Sequence, residues 1–351
     1  MRLQDKSQMR RRGDPAPGAA ATRRMLLKLG GAAAVSAALP CAPSLAQGRG
    51  AKRLRYAHST PTTHAWHLWG ERFKSVVEEK TSGKIQVTIY PNAQMGNERD
   101  IAQAVRLGSI EMASVGVALM NWVPDMSVTD APFLFRSRKQ AYAALDGALG
   151  DELKKRALAQ GFRIVGWNDL GFRSMTNNKH PINSVKDMRD LKMRVPDSKS
   201  YNAMMQATGA SVVAVDLSEL YLALSQGVAD GQDTPPSVVK SNKFYEVQKY
   251  ISKTDHILTN AYSIMNASLF DGLAKDEQEA VSASAADATQ WLRQYTQKDE
   301  AEAYDFLKGK GMQVNLDVDV GSFREACSPV IPKFPDLFPP DLVKLARSAE
   351  G

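Results

Sequence analysis

Arg194 and Arg173 are the side chains whose neighbours best suit them to hold an anion. In the run Lys192-Met193-Arg194-Val195, an extended chain sends Met193 and Val195 to one face and the guanidinium to the other. A guanidinium presents two parallel N–H donors that match a carboxylate, and enclosure strengthens such charge-assisted bonds. Arg173 opens a similar run, Arg173-Ser174-Met175-Thr176. The plain alternative for Arg173 is a structural ion pair, and for Arg194 either such a pair or a solvated strand face. His58, Ser59 and His64 follow or border the first predicted strand and could touch a ligand. His64-x-x-His67 has a metal-like spacing but no evident third ligand, so it reads as a surface or inter-domain pair, and no metal or cofactor is expected. Catalytic signatures are missing: the chain has no Gly-x-Ser-x-Gly elbow, P-loop, Gly-x-Gly-x-x-Gly or Cys-x-x-Cys. Cys327 has no local partner for a nucleophilic role.

These residues sit in a chain that alternates strands and helices. Strands are expected over 53–58, 85–90, near 112–115 and over 163–167, with helices over 65–80, near 99–107 and over 138–160. A second α/β region begins near Leu170, with strands over 173–176, 192–195 and 211–215 and a helix near 200–208. Leu217, Leu220, Tyr221 and Leu224 then recur at i, i+3, i+4 and i+7, the apolar stripe of a further helix, and Tyr221 is assigned to its core side. Asp216 reads first as that helix's cap and second as a partner for a ligand hydroxyl. Trp122 and Trp167 read as packing residues. From 276 to about 308 the pattern is helical almost without a break, with Val281, Ala285, Ala288, Leu292 and Tyr295 alternating by four and three. At 1.5 Å per residue this helix reaches roughly 48 Å, enough to lie across two domains.

Charge separates the first fifty residues from the rest. They hold nine Lys/Arg and two acids, the whole excess of seven, leaving 36 basic and 36 acidic residues in the remainder. The basic character therefore belongs to the leader, and no nucleic-acid partner is implied. Residues 22–28, Thr-Arg-Arg-Met-Leu-Leu-Lys, resemble a twin-arginine export signal. A weakly apolar stretch over 29–39 and the small-x-small triplet Ser44-Leu45-Ala46 follow, so residues 1–46 are expected to be a signal peptide. Periplasmic export leaves Cys327 as the one cysteine of the mature chain.

Several stretches then coincide with one family. They are Gly171-Phe172-Arg173-Ser174-Met175-Thr176-Asn177, Asp190-Leu191-Lys192-Met193-Arg194-Val195-Pro196, the run from Ser218 through Leu224 to Gly227–Asp233, and Lys243–Tyr250. Tyr90–Gly96 and Ala131–Phe135 extend the match towards the N-terminus. Together they resemble the solute-binding subunit of TRAP (tripartite ATP-independent periplasmic) transporters, of the dicarboxylate-binding type. The resemblance implies an α/β, two-lobed periplasmic binding protein with a ligand cleft between the lobes and a long helix spanning both. It implies a monomer that closes on a small organic carboxylate by an Arg–carboxylate salt bridge and delivers it to the membrane subunits. The carboxylate-pairing arginine falls on Arg194 and the family's second arginine on Arg173. Thr234 stands where an Asn is frequent, Leu217 where an aromatic is, and first-strand contacts fall on His58 and Ser59. Residues 52–169 with 259–299 would form the first lobe and 170–258 with 300–351 the second, hinged near 169–171 and 257–260. A periplasmic enzyme acting on a small carboxylate is the alternative.

Overall fold

Alternation along β2 shows how the sequence chooses its layers: Ile85 and Val87 are buried while Gln86 and Thr88 face solvent. The structure, a computed structural model, describes residues 51–350; the expected leader, with its arginine pair and Cys41, lies outside them. In chain order the first elements are β1 (Lys52–Ala57), α1 (Ala65–Lys80), β2 (Ile85–Tyr90), α2 (Glu98–Arg106) and β3 (Met112–Val115). Then come α3 (Arg138–Asp146), α4 (Ala148–Ala159), β4 (Phe162–Phe172), β5 (Ser174–Asn177), β6 (Lys192–Val195), α5 (Lys199–Ala207) and β7 (Ser211–Ala214). Next are α6 (Leu217–Ser225), β8 (Gly231–Thr234), α7 (Pro236–Ser241), β9 (Tyr250–Ser252), β10 (Leu258–Asn266) and α8 (Ala267–Asp271). The chain closes with α9 (Lys275–Gly309), β11 (Gln313–Asn315), α10 (Val320–Cys327), α11 (Val330–Lys333) and α12 (Pro340–Ser348).

Two mixed sheets form two lobes. The first runs β2-β1-β3-β10-β4, and the second β11-β9-β5-β8-β6-β7. In the first, β1 is parallel to β2 and β3, whereas β10 is antiparallel to β3 and β4. In the second, β6 is parallel to β7 and β8, and β5 is antiparallel to β8 and β9. The main chain passes between the sheets at Arg173, after β4, and again over residues 253–257, before β10. The expected hinges at 169–171 and 257–260 mostly fall inside paired strand, since Gly171 pairs with Thr259 and Phe172 with Leu258. The crossings are therefore narrower than the sequence suggested.

Helix α9 reaches both lobes. Val281, Ala285, Ala288 and Leu292 pack with Trp69 and Phe73 of α1 in the first. Leu307, at the other end, packs with Leu220, Leu224 and Phe244 in the second. Between these ends lie two adjacent acids. Asp299 pairs with Lys240 of α7 at 2.6 Å, and Glu300 pairs with Arg138 of α3 and accepts from the Phe172 N–H at 3.1 Å. Gly171 leaves room for that carboxylate: its φ is +108°, and a Cβ there would stand 2.1 Å from Glu300 Oε2.

Three expectations need correction. The helix expected over 138–160 is two helices, α3 and α4, because Gly147 adopts a non-helical φ of −111° and ψ of −149°. Gly150 then lets the backbone turn tightly, since a Cβ there would lie 1.7 Å from the Leu145 carbonyl oxygen. Tyr221 is 39% exposed, and its hydroxyl donates to Glu246 at 2.7 Å; the buried side of α6 is Leu220, Ala223 and Leu224. The last helix, assigned above to the second lobe, packs against α3 and α4 of the first, where Arg156 pairs with Asp341 at 3.0 Å. Trp167 is buried edge-on to Tyr262, and Trp122 meets Phe162 in the same manner, both as packing residues.

Candidate ligand-binding site

Strand β6 carries Arg194 into the space between the lobes. There it borders two adjoining cavities, a smaller and a larger, which also share Glu98, Val117, Pro196 and Leu217. The guanidinium is 3% exposed, and its Nε donates to the Val215 carbonyl at 2.7 Å. Among the described residues it has no carboxylate within ion-pairing distance. Burial, reinforced by the nearby Arg173, pulls its pKa down to about 10. An anion placed beside it would reverse that penalty.

Arg173 has a different setting. At the first crossing its Nε donates to Asp233 Oδ2 at 2.5 Å, its Nη2 donates to the Asp233 carbonyl, and its Nη1 reaches Thr259 Oγ1 at 3.2 Å. Its guanidinium also lies 4.7 Å from the Tyr201 ring centre. His256 Nε2, 3.1 Å from the same Asp233 oxygen, completes a buried cluster. Burial alone would raise the Asp233 pKa, but Arg173 and His256 overcome it and hold that carboxyl well below its usual range. Arg173 borders the larger cavity, yet its charge is already matched.

The remaining sequence candidates divide. Thr234, at the end of β8, and Leu217, at the start of α6, border the larger cavity, and Ser59 the smaller one. The Ser59 hydroxyl has no hydrogen-bond partner among the described residues. His58 is not on either wall; its ring nitrogens meet Thr60 Oγ1 at 3.0 Å and His67 Nδ1 at 3.2 Å. Both of its ring nitrogens therefore already have partners within the protein. His64 and His67 face different partners: His64 Nδ1 accepts from the Trp66 N–H at 3.1 Å, whereas His67 lies 3.5 Å from Glu71. Asp216 occupies the N-cap position of α6, but its side chain makes no capping bond and borders the smaller cavity.

Sequence reasoning missed Glu98, Trp66, Tyr201 and Asn260, all on the wall of the larger cavity. Asn97 caps α2 by accepting from the Asp100 N–H at 3.0 Å, which puts Glu98 at the first helical position. Such an acid normally reads only as a match for the helix dipole. Here it is half-buried and accepts from the Gly116 N–H at 2.8 Å. Burial raises its pKa to about 7, with Gly116 and Arg194 opposing and Asp216 adding to the rise. Between the unfolded value near 4.5 and about 7 the folded state holds the extra proton, so this group's contribution to stability declines as pH rises through that window. Glu98→Gln should therefore differ little from the parent near pH 5 and be more stable at pH 8 by up to about 3 kcal/mol, read by urea unfolding. Equal stability gaps at both pH values would show that Glu98 titrates normally.

Comparisons with known proteins bear on the whole described chain. The family described as bacterial extracellular solute-binding protein, family 7, matches residues 56–336. A solute-binding protein of Verminephrobacter eiseniae is 35% identical over 281 residues, covering 80% of this chain and 84% of that protein. A TRAP periplasmic solute-binding protein from a Polaromonas species, bound to D-erythronate, superposes with a TM-score of 0.83 at 32% identity, over 86% of this chain and 99% of that one. Another from a Bordetella species, with density assigned to pantoate, gives a TM-score of 0.82 at 30% identity, over 86% and 100%.

Proposed function

The chain belongs to the bacterial extracellular solute-binding proteins of family 7, and on that footing we propose that its cleft captures one small organic carboxylate through the Arg194 guanidinium. It is a periplasmic substrate-binding receptor of a TRAP transporter, in a family of receptors rather than enzymes. The observation that carries the ligand assignment is a buried cation bordering both cavities with no carboxylate partner among the described residues. A carboxylate there would accept two N–H bonds from Arg194 and restore the charge balance that burial upsets. Of the two similar structures described above, one holds the carboxylate D-erythronate and the other has density assigned to pantoate, also a carboxylate.

Leu217 and Thr234 from the second lobe and Ser59 from the first shape the rest of the enclosure. Arg173 acts as a positioning residue, because Asp233 already holds its charge and it fixes the crossing beside the cavity. Closure follows from the ligand touching both lobes, which favours whichever arrangement makes all its contacts at once. The crossings at Arg173 and residues 253–257 are the places where backbone rotation would open the cleft. Delivery then requires the membrane subunits to favour the open form, and the receptor itself works as a monomer.

The test is a melting-temperature screen of the purified protein against small carboxylates and matched neutral sugars. At a hundredfold excess over Kd, a bound carboxylate adds about 2.7 kcal/mol, which for a chain of this size raises Tm by roughly 4 °C. Stabilisation by neutral sugars with none by any carboxylate would overturn the assignment.

A further inference from the structure

The larger cavity contains polar atoms that Arg194 does not account for. His64 Nε2, Trp66 Nε1 and Asn260 Oδ1 are buried without a hydrogen-bond partner among the described residues, and all three side chains border this cavity. Buried polar atoms are paired in the great majority of cases, so three orphans on one wall mark groups that a ligand is built to satisfy. Their chemistry can be read individually. His64 caps α1, and its Nδ1 accepts the Trp66 backbone N–H, so Nδ1 holds a lone pair. Complete burial, with His58 nearby, pulls the His64 pKa down to about 3, leaving the ring neutral at any ordinary pH. The single ring proton therefore sits on Nε2, which is a fixed donor. Trp66 Nε1–H can only donate. Asn260 Oδ1 can only accept, and Glu98, half-buried in the same wall, accepts the Gly116 N–H and has further acceptor capacity.

Charge on this wall adds a second restriction. Its cations are Arg173 and Arg194, and Arg173 is matched by Asp233. One unmatched guanidinium compensates one carboxylate. A second carboxylate would be buried with no free cation and would meet Glu98, whose own ionisation burial already opposes.

We propose that this cleft is built for a hydroxylated monocarboxylate, in which His64 and Trp66 donate to a ligand oxygen while Asn260 and Glu98 accept from ligand hydroxyls. The proposal rests on the Arg194–carboxylate reading and adds the class of the remainder of the ligand. Hydroxyl groups suit this wall because each can both accept from the two N–H donors and donate to the two acceptors. An unsubstituted alkyl chain would leave all of them unpaired, which is how a site made for polar contacts rejects an analogue that lacks them.

Calorimetric titration of the purified protein tests this with matched probes of three to six carbons: the aldonate, the unsubstituted alkanoate and the α,ω-dicarboxylate at each length. At the best length the aldonate should bind at least about tenfold more tightly than both partners, the discrimination expected when buried polar groups lose one good hydrogen bond. Trp66→Phe keeps the aromatic packing and removes only the N–H, and His64→Asn keeps an acceptor for the Trp66 backbone N–H. Each should weaken aldonate binding at least about tenfold, leave alkanoate binding unchanged and retain the parent melting temperature. Dicarboxylate or alkanoate binding as tight as that of the aldonate at every length would overturn this inference and leave the Arg194 reading standing. Aldonate affinity untouched in both variants would also overturn it. Failure of every probe to bind would overturn the Arg194 reading as well.

Discussion

Replacing Arg194 with Met is expected to weaken carboxylate binding by at least about 100-fold while leaving the melting temperature unchanged or slightly higher. Two charge-assisted bonds of about 1.5–3 kcal/mol each are lost with the guanidinium, which corresponds to a factor of 10² or more in Kd. Stability should not follow, because the folded state gains little from this charge. Its hydrogen bond within the protein goes to the Val215 carbonyl, no carboxylate pairs with it among the described residues, and burial depresses its pKa to about 10. Met fills the volume of the aliphatic stem and removes the desolvated charge. Arg194→Lys keeps the charge without the planar fork and should fall between the two, since a single ammonium cannot reproduce bidentate geometry. Calorimetry gives the affinities and a thermal melt the stability. An Arg194→Met protein that binds its carboxylate with the parent Kd would remove the central assignment.

The reverse signature is expected at Asp233. Asp233→Ala strands the Arg173 guanidinium in a buried position and takes from His256 its acidic partner. Breaking one side of a buried pair typically costs about 3–5 kcal/mol, which for a chain of this length lowers Tm by roughly 5–8 °C. The double substitution Arg173→Met with Asp233→Leu should recover most of that loss, because two apolar side chains leave no uncompensated charge. Urea unfolding of the two single variants and the double variant forms the cycle that measures it. Single variants that sum to the double would show that the pair contributes no coupling. Thus Arg194 should govern affinity with little effect on stability, and Asp233 stability first.

Much of this architecture was legible because apolar spacing repeats within each element. Met193 and Val195 flanking Arg194 announced a strand that turns its guanidinium away from the core, and the alternating steps from Val281 to Tyr295 announced α9. Strand β8 was invisible, since Gly231-Gln232-Asp233-Thr234 has no apolar residue although all four are buried. Strand β10 was hidden for the opposite reason. It is buried along its whole length in the interior of its sheet, so Leu258–Asn266 lacks the in-and-out alternation of a half-exposed strand. The Tyr221 error came from the width of a helical stripe, whose flanking positions look apolar in sequence yet reach solvent. Half of the site was illegible on different grounds. Trp66 opens α1, Glu98 opens α2 and Asn260 lies in β10, so three short local signals meet His64 only after the chain has folded. Alone, Trp66 reads as a core aromatic and Glu98 as a dipole match, and Asn260 sits in a strand that was itself hidden.

Helix α9 gives this molecule an axle. Its 35 residues contain no proline and no glycine before Gly309, so it has no ready-made kink at which to fold. About two-thirds of the way along it, two consecutive side chains grip different partners, Asp299 reaching Lys240 of α7 and Glu300 reaching Arg138 of α3. A rod held this way cannot hinge like a loop. In the proposed closure the two halves would turn about that one helical turn, with little leverage on the ion pairs there and the widest swing at the cleft mouth.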